Sequence, residues 1–212
     1  MVPRAIVLDF DGVVVLDSEY IKRHAWDGLL EKFPGGTHAL ERAVDRYVGG
    51  RYGTREDIVR DALREIGFDE DHVAKYVATY SARVHTAILA SGVTLEDRAA
   101  LTVLAGYARV YANSATPHDA LCALLRDLGI ESLFSGVYAG SGPKAERLRY
   151  AAEDAGVPQE ELVFVGDRET DLSAANDVGC RFVCVSPEVP HWAQRVPVIA
   201  GLRDLPQLLH GT

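Results

Sequence analysis

The sequence is short of cysteine, of basic residues and of long apolar runs, and each shortage removes a class of protein. Three cysteines, Cys122, Cys180 and Cys184, make an odd number without the paired spacing of a zinc site. A disulfide scaffold is therefore not expected, and the thiols read as buried groups of a reduced compartment with no catalytic role. Lys and Arg number 22 against 31 Asp and Glu, a formal net charge of −9. That balance argues against a broad nucleic-acid or anionic-membrane footprint and leaves room for a local basic pocket that takes a small phosphorylated ligand. No apolar run reaches membrane-spanning length, and the N-terminal residues lack a charged region followed by an apolar segment and cleavage site. The expectation is a cytoplasmic protein without nucleic-acid or membrane partners, acting as a monomer or homodimer. No internal repeat or low-complexity segment is visible. What remains is an ordinary globular composition, 48% hydrophobic and 25% charged over 212 residues, enough for one domain or one domain with a smaller one inserted.

The stretch that organises the chain is Ala5-Ile6-Val7-Leu8-Asp9-Phe10-Asp11-Gly12-Val13. Its apolar, β-branched start reads as a buried parallel strand that ends abruptly in two carboxylates and a glycine. In an open α/β sheet the crevice beyond the carboxyl ends of the strands binds ligands, and Gly12 lets the backbone turn and approach one. Asp9 and Asp11 would repel each other on one face, so a hard divalent cation such as Mg2+ is an economical neighbour. Taken alone, the same four residues also satisfy an ordinary turn after a strand.

Asp17-Ser18-Glu19 signals the N-cap of a helix running toward Phe33, ended by Pro34-Gly35-Gly36. Three further helices are predicted over 38–47, 54–66 and 69–89, the second opened by Thr54 and Asp57 in near capping-box spacing. This block contains no strand pattern. From Leu95 helix and strand alternate: a helix to Leu104, a strand over 109–112, a helix from Pro117 to Leu128, a strand over 136–139, and a helix over 144–155. A strand over 162–165, a helix over 170–178, and strands over 181–185 and 196–199 follow. Alternation of this kind implies a parallel sheet flanked by helices, which the first strand must join to bury its faces. The helical block is then an insertion after that strand.

The remaining chemistry falls at strand ends. Asn113-Ser114-Ala115-Thr116-Pro117 reads as a loop of small polar residues entering a helix, which seats a phosphate oxygen or simply caps the helix. Lys144 follows Gly140-Ser141-Gly142-Pro143 at the head of a helix, where it opposes the helix dipole unless it neutralises a phosphate or carboxylate. Gly166-Asp167-Arg168-Glu169-Thr170-Asp171 closes the apolar strand Leu162-Val163-Phe164-Val165. Asp167 there matches Asp9 on its own strand, and Asp171, one helical turn on, either reaches the same metal or holds a nearby group in place.

These motifs together, Asp9-Phe10-Asp11-Gly12-Val13, Ser114, Lys144 and Gly166-Asp167 with Asp171, resemble the four ordered motifs of the haloacid dehalogenase superfamily. The helical insertion resembles that superfamily's C1 cap of the phosphoglycolate phosphatase and β-phosphoglucomutase type. The resemblance covers nearly the whole chain. It implies a Rossmann-like α/β core over 1–16 and 93–212, and a helical cap over 17–92. It further implies that Asp9 is the nucleophile that becomes an aspartyl phosphate and Asp11 the general acid/base. Mg2+ would be held by the Asp9 carboxylate, the Asp11 backbone carbonyl and Asp167, with Asp171 supporting. Gly12, Ser114, the Ala115 amide and Lys144 would hold the phosphoryl oxygens. The dehalogenase branch lacks the second aspartate, so Asp11 favours phosphoryl transfer. Three departures stand out. The Asp11-to-Asp17 spacing is one residue longer than usual, Asn113 competes with Ser114 for its position, and Lys144 follows a proline where many relatives have Lys-Pro.

In the cap, Gly49-Gly50-Arg51-Tyr52-Gly53-Thr54-Arg55 joins flexibility to positive charge, and Arg55, then Arg51, are the candidate substrate contacts, set against an ordinary helix–helix loop. Lys22, Arg23 and His24 are weaker candidates. The activity implied is a Mg2+-dependent phosphatase of a small phosphomonoester, a sugar phosphate or phosphoglycolate. The alternatives are a phosphomutase of the β-phosphoglucomutase type, whose hinge histidine is replaced near Ile21, and a catalytically silent domain that binds a ligand or partner.

Overall fold

The structure, a computed structural model, describes residues 3–48 and 53–210. Its first element is β1 (Ala5–Asp9), in which every residue is buried. The helices α1 (Ser18–His24), α2 (Gly36–Val48), α3 (Arg55–Glu65), α4 (Val73–Ser91) and α5 (Leu95–Ala105) follow. The chain then alternates through β2 (Arg109–Ser114), α6 (His118–Asp127), β3 (Gly136–Ala139), α7 (Lys144–Ala155) and β4 (Leu162–Gly166). It continues through α8 (Glu169–Val178), β5 (Arg181–Val185), β6 (Val198–Ile199) and α9 (Leu205–His210).

The six strands form one parallel sheet in the order β3-β2-β1-β4-β5-β6. The apolar run of β1 suits a strand covered on both faces, and the sheet gives it partners on both edges. Asp9 stands opposite Asn113 of β2, and Leu8 opposite Val165 of β4, so the acidic ends of β1 and β4 are neighbours. Val7, Tyr111 and Phe164 share a core with Ala151 and Ala152 of α7 and Ala175 of α8. Alanine on the buried stripes lets these helices approach the sheet closely, which brings their N-termini to the strand ends.

The chain forms two compact units that divide at residues 18/19 and 90/91. The segments that leave and re-enter the sheet unit are joined where Ser91 Oγ donates to the Asp17 carboxylate at 3.4 Å. The inserted unit, Glu19–Ala90, contains no strand among its described residues. Within it the Thr54 hydroxyl accepts from the Asp57 amide, and the Asp57 carboxylate accepts from the Thr54 amide, closing a capping box on α3. Trp26 stacks on Tyr80 with centroids 3.7 Å apart. No helix among the described residues is long and apolar enough to cross a membrane.

The structure departs from the predicted elements in several places. The helix expected to run toward Phe33 ends at His24 and gives way to successive turns. Gly28 takes φ +64° there, and Arg83 donates to the carbonyls of Ala25 and Asp27, groups a continuing helix would use itself. The helix predicted from Asp69 starts with a 3-10 turn over Glu70–His72 and runs on to Ser91. Asn113 and Ser114, expected in a loop, are strand residues of β2 because β3 pairs with them. The last strand shrinks to Val198–Ile199, and α9 arises in a segment with no predicted element.

Leu148 of α7 is fully buried against the sheet. Leu148→Ala is expected to lower unfolding stability by about 2–5 kcal/mol, measured by urea denaturation. A loss under about 1 kcal/mol would mean that the α7–sheet contact contributes little to the fold.

Candidate active site

The site begins where β1 runs out. The Phe10 amide donates to Asp9 Oδ1 at 3.0 Å, and the Phe10 carbonyl accepts from Val14 and Val15, so the chain makes a single tight turn directly after the strand. Gly12 sits in that turn at φ +72°, its amide donating to Ser18 Oγ at 3.0 Å. A side chain there is excluded twice over, by the left-handed backbone and because a Cβ would lie 2.3 Å from Asp167 Oδ2. The turn presents Asp11, whose Oδ2 accepts from Ser114 Oγ at 3.1 Å.

Two other elements converge on Asp9. Lys144, the first residue of α7, donates to Asp9 Oδ2 at 2.7 Å and to Asp171 Oδ1 at 2.5 Å. The contacts account for a lysine at a helix N-terminus, where the dipole disfavours it. Asp171 is completely buried, and its second oxygen accepts from the amides of Asp167 and Arg168, each at 3.2 Å. One carboxylate thus caps α8 and anchors Lys144. Gly166 makes this possible, since a Cβ at that position would stand 2.5 Å from Asp171 Oδ2. Asp167 is half-buried beside them.

Electrostatics define what the site is suited to hold. Carboxylate oxygens of Asp9, Asp167 and Asp171 all lie within 4.8 Å of one another. Burial pushes the Asp9 carboxyl up to about 8 from 3.8, against the pull of the Lys144 ammonium, and the charges of Asp171 and Asp11 push it the same way. Burial works against the Lys144 ammonium too, but Asp9 and Asp171 outweigh it and raise its pKa. One contacting ammonium does not balance this many carboxyl groups in so little space. A donor set made of oxygen alone, packed against a glycine without room for a Cβ, fits a hard divalent cation.

The other predicted site residues are placed as follows. Ser114 is fully buried, and its oxygen accepts from the Thr116 amide at 3.0 Å while donating to Asp11. Its hydroxyl therefore orients Asp11. Ala115 follows at the exposed end of β2. In the inserted unit Arg55 is half-buried, donating to Ser81 Oγ at 2.7 Å with its guanidinium over the Tyr80 ring. Arg51, with Gly49, Gly50 and Tyr52, lies outside the described residues. The sequence reading passed over Arg147, a buried guanidinium one turn beyond Lys144 that donates to Asn113 Oδ1 at 2.8 Å. The signal was its spacing, since three residues on in a helix is the same side as Lys144. Burial pushes the Cys180 and Cys184 thiols to about 11, far from the reactive range.

Comparison with known proteins gives the family and the fold. A family model described as haloacid dehalogenase-like hydrolase matches residues 3–179. A phosphoglycolate phosphatase of Neisseria meningitidis is 28% identical over 193 residues, covering 86% of this chain and 80% of that protein. Among solved structures, β-phosphoglucomutase from Clostridium difficile superposes with a TM-score of 0.68 at 16% identity, covering 100% of this chain and 98% of that one. A 2-haloacid dehalogenase from Pseudomonas syringae gives 0.68 at 20% identity, covering 100% and 99%. These structural likenesses show the fold, which carries unlike chemistries.

The raised pKa of Asp9 has a consequence for stability. Burial makes the Asp9 carboxyl hold a proton to higher pH in the folded chain than in the unfolded one, whose value is 3.8. This stabilising contribution is complete below that pH and is lost as pH rises through about 8. In EDTA, Asp9→Asn is expected to raise Tm by several degrees relative to wild type at pH 8 and to change it little near pH 4. Thermal scans across pH check this, and an equal shift at both pH values would remove Asp9 as the source.

Proposed function

Given that the chain belongs to the haloacid dehalogenase-like hydrolases, we propose that it is a Mg2+-dependent phosphatase that hydrolyses a small phosphomonoester through an aspartyl-phosphate intermediate. The observation that carries this reading is the contact of Lys144 with Asp9 at the end of the central strand, with Asp11 two residues on. A carboxylate held against an ammonium is a nucleophile that a phosphate dianion can approach. The dehalogenase chemistry of other members does not use a second aspartate at the position of Asp11.

An Asp9 carboxylate oxygen attacks phosphorus, the bond to the leaving oxygen breaks, and Asp11 delivers a proton to that oxygen. Asp11 then takes a proton from water as the water oxygen attacks phosphorus, which frees inorganic phosphate and restores Asp9. Ser114 holds the Asp11 carboxyl through its hydroxyl, and Lys144 keeps its charge beside the transferring group. The Asp9 carboxylate, the Asp11 carbonyl and Asp167, supported by Asp171, would hold Mg2+, whose positive charge would offset the repulsion between carboxylate and phosphate. The substrate belongs to the sugar phosphate or phosphoglycolate class, supported by the 28% identical phosphoglycolate phosphatase. The inserted helical unit serves as the cap, with Arg55 as its anion-recognising side chain.

The test is phosphate release from sugar phosphates, phosphoglycolate and nucleotides, in Mg2+ and in EDTA. Release that requires Mg2+ and disappears in Asp9→Asn is the expected result. Retained turnover in that variant would remove Asp9 as nucleophile. Asp11→Asn is expected to slow turnover about 100-fold or more, and a normal rate would move the acid/base role elsewhere. Isomerised product with a requirement for a bisphosphate activator would replace hydrolysis by a phosphomutase reaction.

A further inference from the structure

Arg147 is 8% exposed, yet among the described residues none of its hydrogen bonds is to a carboxylate. Nε donates to Asn113 Oδ1 at 2.8 Å, and Nη1 donates to the carbonyls of Gly140 and Gly142, each at 2.9 Å. A buried charge satisfied by neutral acceptors is uncommon, because desolvation is offset only by hydrogen bonds and by more distant charges. Here burial weakens the cation, while the charges of Asp9 and Asp171 favour it.

The acceptors indicate what the guanidinium does. Gly140 and Gly142 have φ of +109° and +121°, backbone angles that side chains rarely adopt, and their carbonyls both meet Arg147. They belong to the loop that ends at Lys144, and the Gly140 amide donates to the Ser114 carbonyl at 3.0 Å. The loop is thereby tied to the end of β2 and to Arg147 together. Asn113 is the register partner of Asp9, so the two side chains leave the same face of neighbouring strands. Arginine has no acceptor, so the Asn113 atom facing it is the oxygen and the amide nitrogen points elsewhere. Among the described residues that nitrogen is buried without a hydrogen-bond partner, a spare donor beside the strand that carries Asp9.

We propose that Arg147 is a positioning residue for phosphoryl binding: its fork fixes the glycine loop that delivers Lys144 and orients Asn113 at the end of β2. The role rests on the phosphatase reading for its purpose, but its test needs no turnover. Lys144 opens α7 at the end of that loop and reaches Asp9 and Asp171 at 2.7 and 2.5 Å, so fixing the loop limits how far its ammonium can stray. Lysine at position 147 would keep the charge and lose the fork.

The experiment compares wild type, Arg147→Lys and Arg147→Met by calorimetric titration with Mg2+ alone, then with inorganic phosphate in saturating Mg2+. Far-UV circular dichroism and thermal scans report folding, and Arg147→Lys is retained in case the methionine variant does not fold. Phosphate affinity is expected to fall about tenfold or more in both variants, as for loss of charge-assisted hydrogen bonds, with Mg2+ affinity within about twofold of wild type. A folded variant that binds phosphate as wild type does, or one in which Mg2+ and phosphate affinity fall together, would overturn the assignment. Wild-type turnover of an aryl phosphate is measured separately. A wild type that binds phosphate but releases none from the ester would end the phosphatase reading while Arg147 is still judged by its binding ratio, and a wild type that binds no phosphate would overturn both.

Discussion

The contact between Lys144 and the two carboxylates Asp9 and Asp171 is the constraint around which the sheet unit is arranged. It requires three chain segments far apart in sequence to end at one point, and the topology supplies this. β1 lies between β2 and β4, so Asp9 and Asp167 finish on neighbouring strands. α7 begins at Lys144, and α8 begins within a turn of Asp171. Gly12 and Gly166 leave the space in which the carboxyl groups approach one another. Each of these is an ordinary feature alone, and together they concentrate negative charge where a parallel sheet opens toward solvent.

Asp171 shows how structural and chemical demands fall on one side chain. One oxygen satisfies two amides at the start of α8, and the other meets Lys144. The start of α8 and the head of α7 are thus held by one side chain. Ser114 behaves similarly, its oxygen accepting from the Thr116 amide while its hydroxyl donates a hydrogen bond to Asp11. The inserted helical unit handles its own charges locally, with Arg42 paired to Glu65 and Arg55 laid over Tyr80.

Much of this was legible in the amino-acid order because the signals were local. An apolar β-branched run ending in Asp marks β1 and β4, and glycine breaks mark most helix ends. A lysine where the dipole disfavours it draws attention to Lys144. Arg147 carried only the weaker mark of its helical spacing from Lys144, since an arginine within a helix is usually solvated, and its burial depends on a loop that only the folded chain brings to it. The start of the inserted unit failed for another reason. Ala25, Leu29 and Leu30 have helical spacing and are buried, but Arg83, distant in sequence, takes the carbonyls a helix would need. Asn113 and Ser114 read as loop residues by composition and became strand residues through pairing with β3, an instance of tertiary context overriding local preference.

The central place of β1 also sets the order in which the molecule is completed. Ala5 pairs with Arg109 on one edge and with Leu162 on the other, so β1 leaves the ribosome well before the strands that cover its two edges. Contacts that span so much sequence close slowly, whereas those inside the inserted helices are short-range and close early. During synthesis the helical unit therefore folds beside an apolar strand that is still bare. The two acidic groups that follow that strand, Asp9 and Asp11, then act as gatekeepers, placing charge next to the segment most open to unwanted pairing.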